Sequence, residues 1–335
     1  MKKYPFSDIL VTGGLGFIGS HFIEAILSLK QDINITSIDK VGYATSLKTK
    51  KFLEDICNFK SIKGDILDRD MLQDIFGRQK FDCVIHFAAE SHVDNSISEP
   101  NDFIFSNIVG TYNLLEAIRN SKFPEKVFFH HISTDEVYGS LSASAPPFLE
   151  TNKYEPSSPY SASKAASDLL VESWYKTFGM NYLITNCSNN FGPRQFTEKL
   201  IPKVIINAFK KERIPIYGDG LNVRDWIYVK DHINALIALH INSVSNTTVN
   251  IGGNNEINNL EITNNVLKII SSDTGNDKLF DLIEFVQDRP GHDFRYSIDS
   301  TKIFDLIGWE PSKDFIKNLI ETVSWYNKNS DWWDS

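Results

Sequence analysis

The chain of 335 residues has little cysteine and no long apolar run. Its three cysteines, Cys57, Cys83 and Cys187, lack the spacing of a metal site, and an odd, scattered set does not indicate a disulfide framework. No apolar run approaches the roughly 18 residues that a membrane helix needs, and residues 1–5 lead into a strand rather than a signal-peptide core. We therefore expect reduced thiols, no metal and a cytoplasmic protein.

Positive charge is also in deficit. Lys and Arg number 34 against 43 Asp and Glu, giving a net charge of -9, which argues against nucleic acid or an anionic membrane as partner. A phosphate-bearing ligand must then be held by a local basic cluster. Because a single hydrophobic core rarely serves more than about 250 to 300 residues, the length of the chain predicts two lobes.

A glycine-rich turn follows the first apolar strand, residues 9–11, and precedes a helical pattern. Glycines in a turn between strand and helix let the backbone approach a pyrophosphate, and the helix N-terminus stabilises its charge. A second strand ends at Asp39, about 20 residues further on, where an acid meets a ribose hydroxyl. A carboxylate repels a 2′-phosphate, which favours NAD over NADP, although Lys40 beside it weakens that argument. The candidate cofactor residues here are Gly13, Gly16, Phe17, Ile18, Gly19, Asp39 and Lys40.

Strands and helices alternate along the rest of the first half, which predicts an α/β, Rossmann-type, doubly wound parallel sheet with a smaller C-terminal substrate-binding lobe. We expect residues 1–190 to form the NAD-binding domain, with 223–252 returning to it, and 191–335 to form mainly the nucleotide-sugar lobe. Further cofactor candidates at the ends of the third and fourth strands are Asp65, Ile66, Phe87, Ala88, Ala89 and Ser91.

The segment 133–164 carries the reactive side chains. Ser158 and Pro159 look like an N-cap and a first helical residue, so Tyr160 and Lys164 fall at i and i+4 on one helical face. We expect the ammonium to lower the pKa of the phenol, which makes Tyr160 a candidate base for a substrate hydroxyl. Upstream, Thr134, Asp135 and Glu136 follow the fifth strand. The two acids are either an acid/base pair or simple strand-end capping groups.

The C-terminal half gathers basic and aromatic residues, which suits a diphosphate-bearing substrate because guanidinium groups bind phosphate in a bidentate manner. These residues are Lys199, Arg224, Arg289, His292, Arg295 and Tyr296. A loop over 140–159, next to the candidate catalytic residues, is expected to cover the site.

Together these features resemble the extended short-chain dehydrogenase/reductases and, closely, their dTDP-glucose 4,6-dehydratases. The resemblance spans nearly the whole chain, and its most specific part is the Thr134, Asp135, Glu136 triplet. The matching segments are residues 12–19, 87–94, 133–139, 160–164, 186–190, 198–202, 224–226 and 288–293.

The resemblance implies that NAD oxidises C4 of the sugar while Tyr160, aided by Thr134 and Lys164, takes the hydroxyl proton. Glu136 would then remove the C5 proton as Asp135 protonates the departing C6 hydroxyl, and hydride would return to C6. The implied substrate-binding residues are Ser91, His92, Thr134, Asn190, Lys199, Leu200, Pro215, Tyr217, Arg224, Asn259, Arg289, His292 and Tyr296. It also implies a homodimer through helices 102–119 and 160–178, for each of which we expect one apolar face against the sheet and a second against a partner.

Departures from the family pattern leave alternatives open. The segment 39–46 resembles relatives that act on UDP-glucose, and Asn95, Ser106 and Arg194 replace the more usual arginine, threonine and aromatic residue. The alternatives are a UDP-glucose 4,6-dehydratase, an NDP-sugar 4-epimerase in which the acids are structural, and a catalytically silent NAD-binding regulatory protein. The last class loses the tyrosine or the lysine, and both are present here.

Overall fold

A seven-stranded parallel sheet forms the centre of the protein in this computed structural model, which describes residues 3–333. The strands are β1 Asp8–Thr12, β2 Asn34–Asp39, β3 Phe59–Lys63, β4 Cys83–His86, β5 Phe128–Thr134, β6 Tyr182–Cys187, β7 Asn189–Phe191, β8 Ile214–Tyr217, β9 Val223–Tyr228, β10 Thr247–Ile251, β11 Glu256–Asn258 and β12 Ile283–Val286. The strand order of the large sheet is β3-β2-β1-β4-β5-β6-β10, and every neighbouring pair is parallel. The predicted doubly wound α/β sheet is confirmed.

Helices cover the sheet. Central strands such as β1 therefore read as unbroken apolar runs, with Ile9, Leu10 and Val11 all fully buried. The helices are α1 Phe17–Ser28, α2 Leu47–Glu54, α3 Arg69–Arg78, α4 Val93–Ser98, α5 Pro100–Phe103, α6 Gly110–Arg119, α7 Pro159–Phe178, α8 Leu200–Lys210, α9 Val229–Ile241, α10 Asn259–Thr274, α11 Thr301–Ile307, α12 Phe315–Lys328 and α13 Ser330–Trp333.

Helix α7 begins as its sequence predicts. Ser158 and Ser161 form a capping box, in which the Ser161 backbone N–H donates to Ser158 Oγ at 3.1 Å and the Ser158 N–H donates to Ser161 Oγ at 3.0 Å. Pro159 occupies the first helical turn, and Gly179 ends the helix in the left-handed region at φ 72°. This start fixes the helical face that carries Tyr160.

The predicted continuous helix over 102–119 is wrong in detail. It begins at Pro100, and a π-helix, Ile104–Val109, separates α5 from α6. The wide turn holds Asn107, whose amide donates to the Glu90 carbonyl at 3.0 Å and to Ser163 Oγ at 2.8 Å, while its own Oδ1 accepts the Glu90 N–H at 2.8 Å. These bonds tie the helix to the loop after β4 and to α7. Apolar periodicity does not reveal the extra residue of a π turn.

The second half of the chain adds two small sheets, β11-β9-β7 and β12-β8. Within 223–252, β10 joins the large sheet beside β6, whereas β9 lies in the three-stranded sheet. One cluster of buried apolar side chains runs from Ile9 through Ile205 and Val266 to Leu319, so both halves share a core. The division at residue 190 stays a prediction, and residues 1, 2, 334 and 335 of the two proposed domains lie outside the described residues.

No helix within residues 3–333 is long and apolar enough to cross a membrane. Cys57 is exposed, and Cys83 and Cys187 are buried as free thiols.

Candidate active site

The carboxyl ends of β1, β4, β5 and β6 open into one cleft with a cavity volume of about 330 Å³. The strand order reverses between β1 and β4, because β2 and β3 follow on one side and β5 and β6 on the other. Open α/β sheets bind ligands at such a switch point.

The glycine-rich turn forms the floor of this cleft. Gly13 has φ 68°, and a Cβ there would lie 2.7 Å from the backbone nitrogen of Ala88. A Cβ on Gly19 would lie 2.4 Å from the carbonyl oxygen of Gly13. Gly16 caps α1 with no side-chain hydrogen bond, so the first N–H groups of α1 face the turn without a side-chain acceptor. This geometry suits a pyrophosphate at the helix N-terminus.

Asp39 closes the turn from β2. Its carboxylate accepts the Leu15 N–H at 3.1 Å, the Val41 N–H at 2.8 Å and the Thr45 hydroxyl at 3.2 Å. Lys40, next in sequence, pairs instead with Glu90 across the cleft. The carboxylate thus remains where the sequence predicts the ribose acceptor.

The sequence-predicted cofactor residues all line the cleft. They are Gly13, Gly16, Phe17, Ile18, Gly19, Asp39, Lys40, Asp65, Ile66, Phe87, Ala88, Ala89, Ser91, Tyr160 and Lys164. The cleft therefore has the chemistry a dinucleotide needs: a glycine turn, an open helix N-terminus and a ribose acceptor.

The two acids stand at the end of β5, in a single 3-10 turn. Asp135 is 2% exposed, and burial followed by the charge of Glu136 raises its pKa well above the usual value. Burial also raises the pKa of Glu136, but the positive charges of Arg289, Arg224 and Lys199 oppose that rise. The environment therefore favours a protonated Asp135 beside a Glu136 that basic groups help to ionise.

Tyr160 and Lys164 line the same cleft. The expectation that the protein's own groups lower the pKa of Tyr160 is wrong. Burial is the largest influence and raises the pKa of Tyr160, Glu136 raises it further, and a hydrogen bond with Thr134 acts in the opposite direction. Lys164 Nζ donates to the Ile132 carbonyl at 2.8 Å, and burial lowers its pKa to about 8. The expectation from helical spacing alone neglected the burial of the ring.

Of the predicted substrate residues, four line the cleft: Ser91, Thr134, Asn190 and Lys199. Lys199 Nζ donates to the Ser91 carbonyl at 2.8 Å, and Asn190 Oδ1 lies 2.9 Å from His232 Nδ1.

A second group gathers around Asp94 at the start of α4. Arg289 donates to one carboxylate oxygen at 2.8 Å, and the Tyr217 hydroxyl donates to the other at 2.9 Å. His292 pairs with Asp288 at 2.6 Å, and its ring contacts that of Tyr217. His92 lies 3.6 Å from Glu198.

Arg224 is 5% exposed, and its guanidinium stacks over Tyr296 at 4.3 Å. It also donates to the carbonyl of Asp293 at 3.1 Å. The structure does not bring Leu200, Pro215 or Asn259 into the cleft lining; they begin α8, lie in β8 and begin α10.

Sequence reasoning missed several residues at the site. Tyr43, Phe196 and Glu198 line the cleft, with the Tyr43 and Phe196 rings 5.4 Å apart. Asp168 and His131 lie under Lys164, fully buried. Asp168 continues the i, i+4 series from Tyr160 and Lys164, so the helical spacing carried a signal for it.

Comparisons with known proteins agree with this geometry. The family model described as GDP-mannose 4,6 dehydratase matches residues 10–322. A dTDP-glucose 4,6-dehydratase from Neisseria meningitidis serogroup B is 46% identical over 338 residues, covering 98% of this chain and 95% of the relative. The chain belongs to the dTDP-glucose 4,6-dehydratase family. The family resemblance seen in the sequence is confirmed.

Solved structures of dehydratases and of 4-epimerases both resemble this chain in fold. The dTDP-glucose 4,6-dehydratase DesIV from Streptomyces venezuelae, crystallised with NAD, has a TM-score of 0.90 and 36% identity, covering 98% of this chain and 99% of its own. A UDP-glucose 4-epimerase from Thermotoga maritima, crystallised with UDP-glucose, has a TM-score of 0.83 and 27% identity, covering 96% and 99%. Since both classes share the fold, the fold alone does not decide the reaction.

Proposed function

We propose that this protein is an NAD-dependent dehydratase that converts dTDP-glucose to its 4-keto-6-deoxy sugar. The observation that carries the proposal is the pair formed by buried Asp135 and half-buried Glu136, which lines the same cleft as Tyr160 and the glycine-rich turn. Removal of water across C5 and C6 needs a general acid and a general base together, which a simple alcohol oxidation does not.

Tyr160 would take the proton from the C4 hydroxyl, assisted by the hydrogen bond with Thr134. NAD, when bound, would supply the hydride acceptor for C4, the hydride donor for C6 and a positive charge that favours the phenolate form of a tyrosine. Lys164 adds a second positive charge one helical turn from Tyr160. The turn around Gly13, the N-terminus of α1 and Asp39 would hold the cofactor.

The elimination would use the two acids in different protonation states. Asp135, whose pKa is raised by burial and by Glu136, would donate a proton to the departing C6 oxygen. Glu136, near Arg289, Arg224 and Lys199, would remove the C5 proton. Close carboxyls split their pKa values in this way.

For substrate binding we propose that Lys199, Arg224 and Arg289 hold the diphosphate. Two observations support this assignment. The positive charges of all three residues lower the pKa of Glu136, so they lie near the same carboxyl group. The protein as a whole has a net charge of -9, so phosphate binding requires a local cluster of basic residues. Asn190 would contact the sugar. The nucleoside would lie near Tyr217, Asn259 and Tyr296, and Ser91, His92, Leu200, Pro215 and His292 would complete the site.

The test is incubation of the purified protein with dTDP-glucose and, separately, UDP-glucose, followed by mass spectrometry. We expect loss of one water from the dTDP sugar. Faster dehydration of UDP-glucose would favour the uracil base, as the 39–46 segment allows. Inversion at C4 with no loss of water would favour a 4-epimerase and make the acids structural.

We also propose a homodimer, located in the cytoplasm. Large apolar side chains are exposed on the π-helix and α7, among them Ile104 at 43%, Phe105 at 52%, Leu169 at 60% and Phe178 at 50%. In a monomer these apolar side chains would be exposed to water, and exposed apolar patches of this kind indicate an interaction surface. Light scattering should give twice the chain mass of 38.1 kDa. A monomer at micromolar concentration would rule out the dimer.

A further inference from the structure

A buried polar group lies directly behind the catalytic lysine. Tyr160, Lys164 and Asp168 occupy one face of α7, and the His131 and Ser133 side chains reach Lys164 and Asp168 from β5. His131 Nε2 is 3.3 Å from Lys164 Nζ and 3.1 Å from Asp168 Oδ1. The Ser133 hydroxyl donates to Asp168 Oδ2 at 2.8 Å. One imidazole nitrogen therefore contacts both the ammonium and the carboxylate.

Each of these side chains is removed from water. Lys164 is 3% exposed, Asp168 1% and His131 0%. An isolated ammonium in such a place loses its proton unless an opposite charge compensates it. Apart from its bond to the Ile132 carbonyl, the ammonium has His131 as its hydrogen-bonding neighbour, and Asp168 Oδ1 contacts the same imidazole nitrogen, Nε2.

We propose that Asp168 and His131 are positioning residues for Lys164: the carboxylate keeps the lysine protonated, and the imidazole that contacts both groups fixes the ammonium beneath the cofactor cleft. This inference rests on the role of Lys164 in the proposed function. It assigns Asp168 and His131 no contact with the substrate or the cofactor, because neither lines the cleft.

The acid–base properties of the cluster agree with that geometry. Burial lowers the pKa of Lys164 to about 8 while Asp168 raises it, and burial raises the pKa of Asp168 to about 6 while Lys164 lowers it. Both charges therefore coexist between a pH of about 6 and about 8.

The surrounding titratable groups keep one state through that window. Burial lowers the pKa values of His131 and of His86 on β4 well below their usual range, so both rings are neutral. Burial raises the pKa of Cys187 on β6 to about 12 and raises those of Tyr138 and Tyr154 from the segment that follows β5. The pKa of Tyr160, one turn before Lys164, is raised as well.

The first test is the pH profile of reduced-cofactor formation with NAD and dTDP-glucose in Asp168→Asn. Removal of the carboxylate should lower the pKa of Lys164 and move the alkaline limb to lower pH by about one to three units. A fall of about two units would leave roughly a tenth of the lysines protonated at pH 7 and reduce the rate about tenfold there. If packing alone matters, the rate falls equally at every pH and the limb stays in place, which would overturn the proposal.

The second test uses the ligand-free protein and therefore does not depend on activity. A lysine whose pKa is lowered by folding destabilises the folded protein most at pH values below its folded-state pKa. This destabilisation decreases as the pH rises from the folded-state pKa toward the unfolded-state value. The stability deficit of Asp168→Asn, measured by denaturant unfolding, should be largest near pH 6.5 and shrink toward pH 8.5. A deficit that is constant over this range contradicts the proposal.

The adjacent histidines provide a matched control. His131→Gln removes the imidazole that contacts both charges and should shift the alkaline limb in the same direction. His130 is equally buried, but its ring contacts His240 Nε2 at 2.7 Å and Thr185 Oγ1 at 3.1 Å instead. His130→Gln should change stability without moving the limb, and equal shifts in the two variants would refute the assignment.

If Asp168→Asn does not fold, Ser133→Ala decides. Loss of the hydroxyl that donates to Asp168 should raise the carboxyl pKa and move the acid limb from a pH of about 6 upward. An unmoved limb would count against the proposal. If the parent forms no reduced cofactor with dTDP-glucose, the proposed function fails, while the unfolding measurements still test the cluster.

Discussion

Replacement of Asp135 by asparagine should separate elimination from C4 oxidation. The side chain is buried, one oxygen accepts the Thr134 hydroxyl at 3.3 Å, and the other has no hydrogen-bond partner among the described residues. An amide keeps the shape but has no carboxylic proton to give. Positioned proton transfer contributes about 10²- to 10⁴-fold, so we expect the elimination to slow by that factor. At about 1.36 kcal/mol per tenfold, the barrier rises by about 2.7 to 5.4 kcal/mol.

The assay is stopped-flow absorbance of the reduced nicotinamide during one turnover with dTDP-glucose. In Asp135→Asn the signal should rise near the parent rate and persist, because Tyr160 still accepts the C4 proton. Two variants serve as controls. Tyr160→Phe should suppress the signal altogether, and Glu136→Gln should keep solvent deuterium from entering C5.

The same variant also has a stability signature. A folded-state pKa raised above the unfolded value of about 3.9 means that the carboxyl stabilises the fold at low pH and loses this contribution as the pH rises through the folded pKa. Asparagine carries no such proton, so the stability of Asp135→Asn relative to the parent should increase with pH above about 4.

Dehydration by Asp135→Asn and Glu136→Gln at near the parent rate would refute the reasoning and leave the acids as capping groups.

Three further outcomes are expected. Arg224→Ala removes a charge-assisted contact of roughly 1.5 to 3 kcal/mol, so calorimetry should show at least tenfold weaker dTDP-glucose binding with NAD binding unchanged; equal losses for both ligands would contradict the assignment. Gly13 has φ 68°, and Gly13→Ala would place a methyl group 2.7 Å from the Ala88 nitrogen, so the purified variant should lose bound NAD. Full retention of NAD would show that the backbone of the turn adjusts to the methyl group. Leu169→Asp introduces a charge into the exposed apolar surface of α7 and should give the monomer mass by light scattering; an unchanged dimer would place the interface elsewhere.

The sequence predicted those parts of the site whose structure depends on residues close to one another in the chain. The glycine turn before α1 and the Ser158, Pro159 start of α7 are set by neighbouring residues, so Tyr160 and Lys164 fall where helical spacing puts them. The acid pair was visible because it follows an apolar strand, and strand ends meet at one edge of a parallel sheet.

Other features depend on contacts between distant residues, and sequence reasoning missed them for that reason. The partner of Arg289 is Asp94, 195 positions earlier, and nothing near either residue indicates the pairing. The π-helix around Asn107 is set by bonds to Glu90 and to Ser163 in other elements. The high pKa of Tyr160 follows from burial, which spacing within one helix does not report.

Asp39 limits how the cofactor preference of this scaffold can be changed. The carboxylate that would bind the ribose also anchors the glycine turn through Leu15 and the following loop through Val41 and Thr45. A substitution that makes room for a 2′-phosphate therefore removes three internal hydrogen bonds at the same time. An engineered NADP-dependent form would need a redesigned loop over residues 40–45, because recognition of the nucleotide and shape of the turn depend on the same two oxygen atoms.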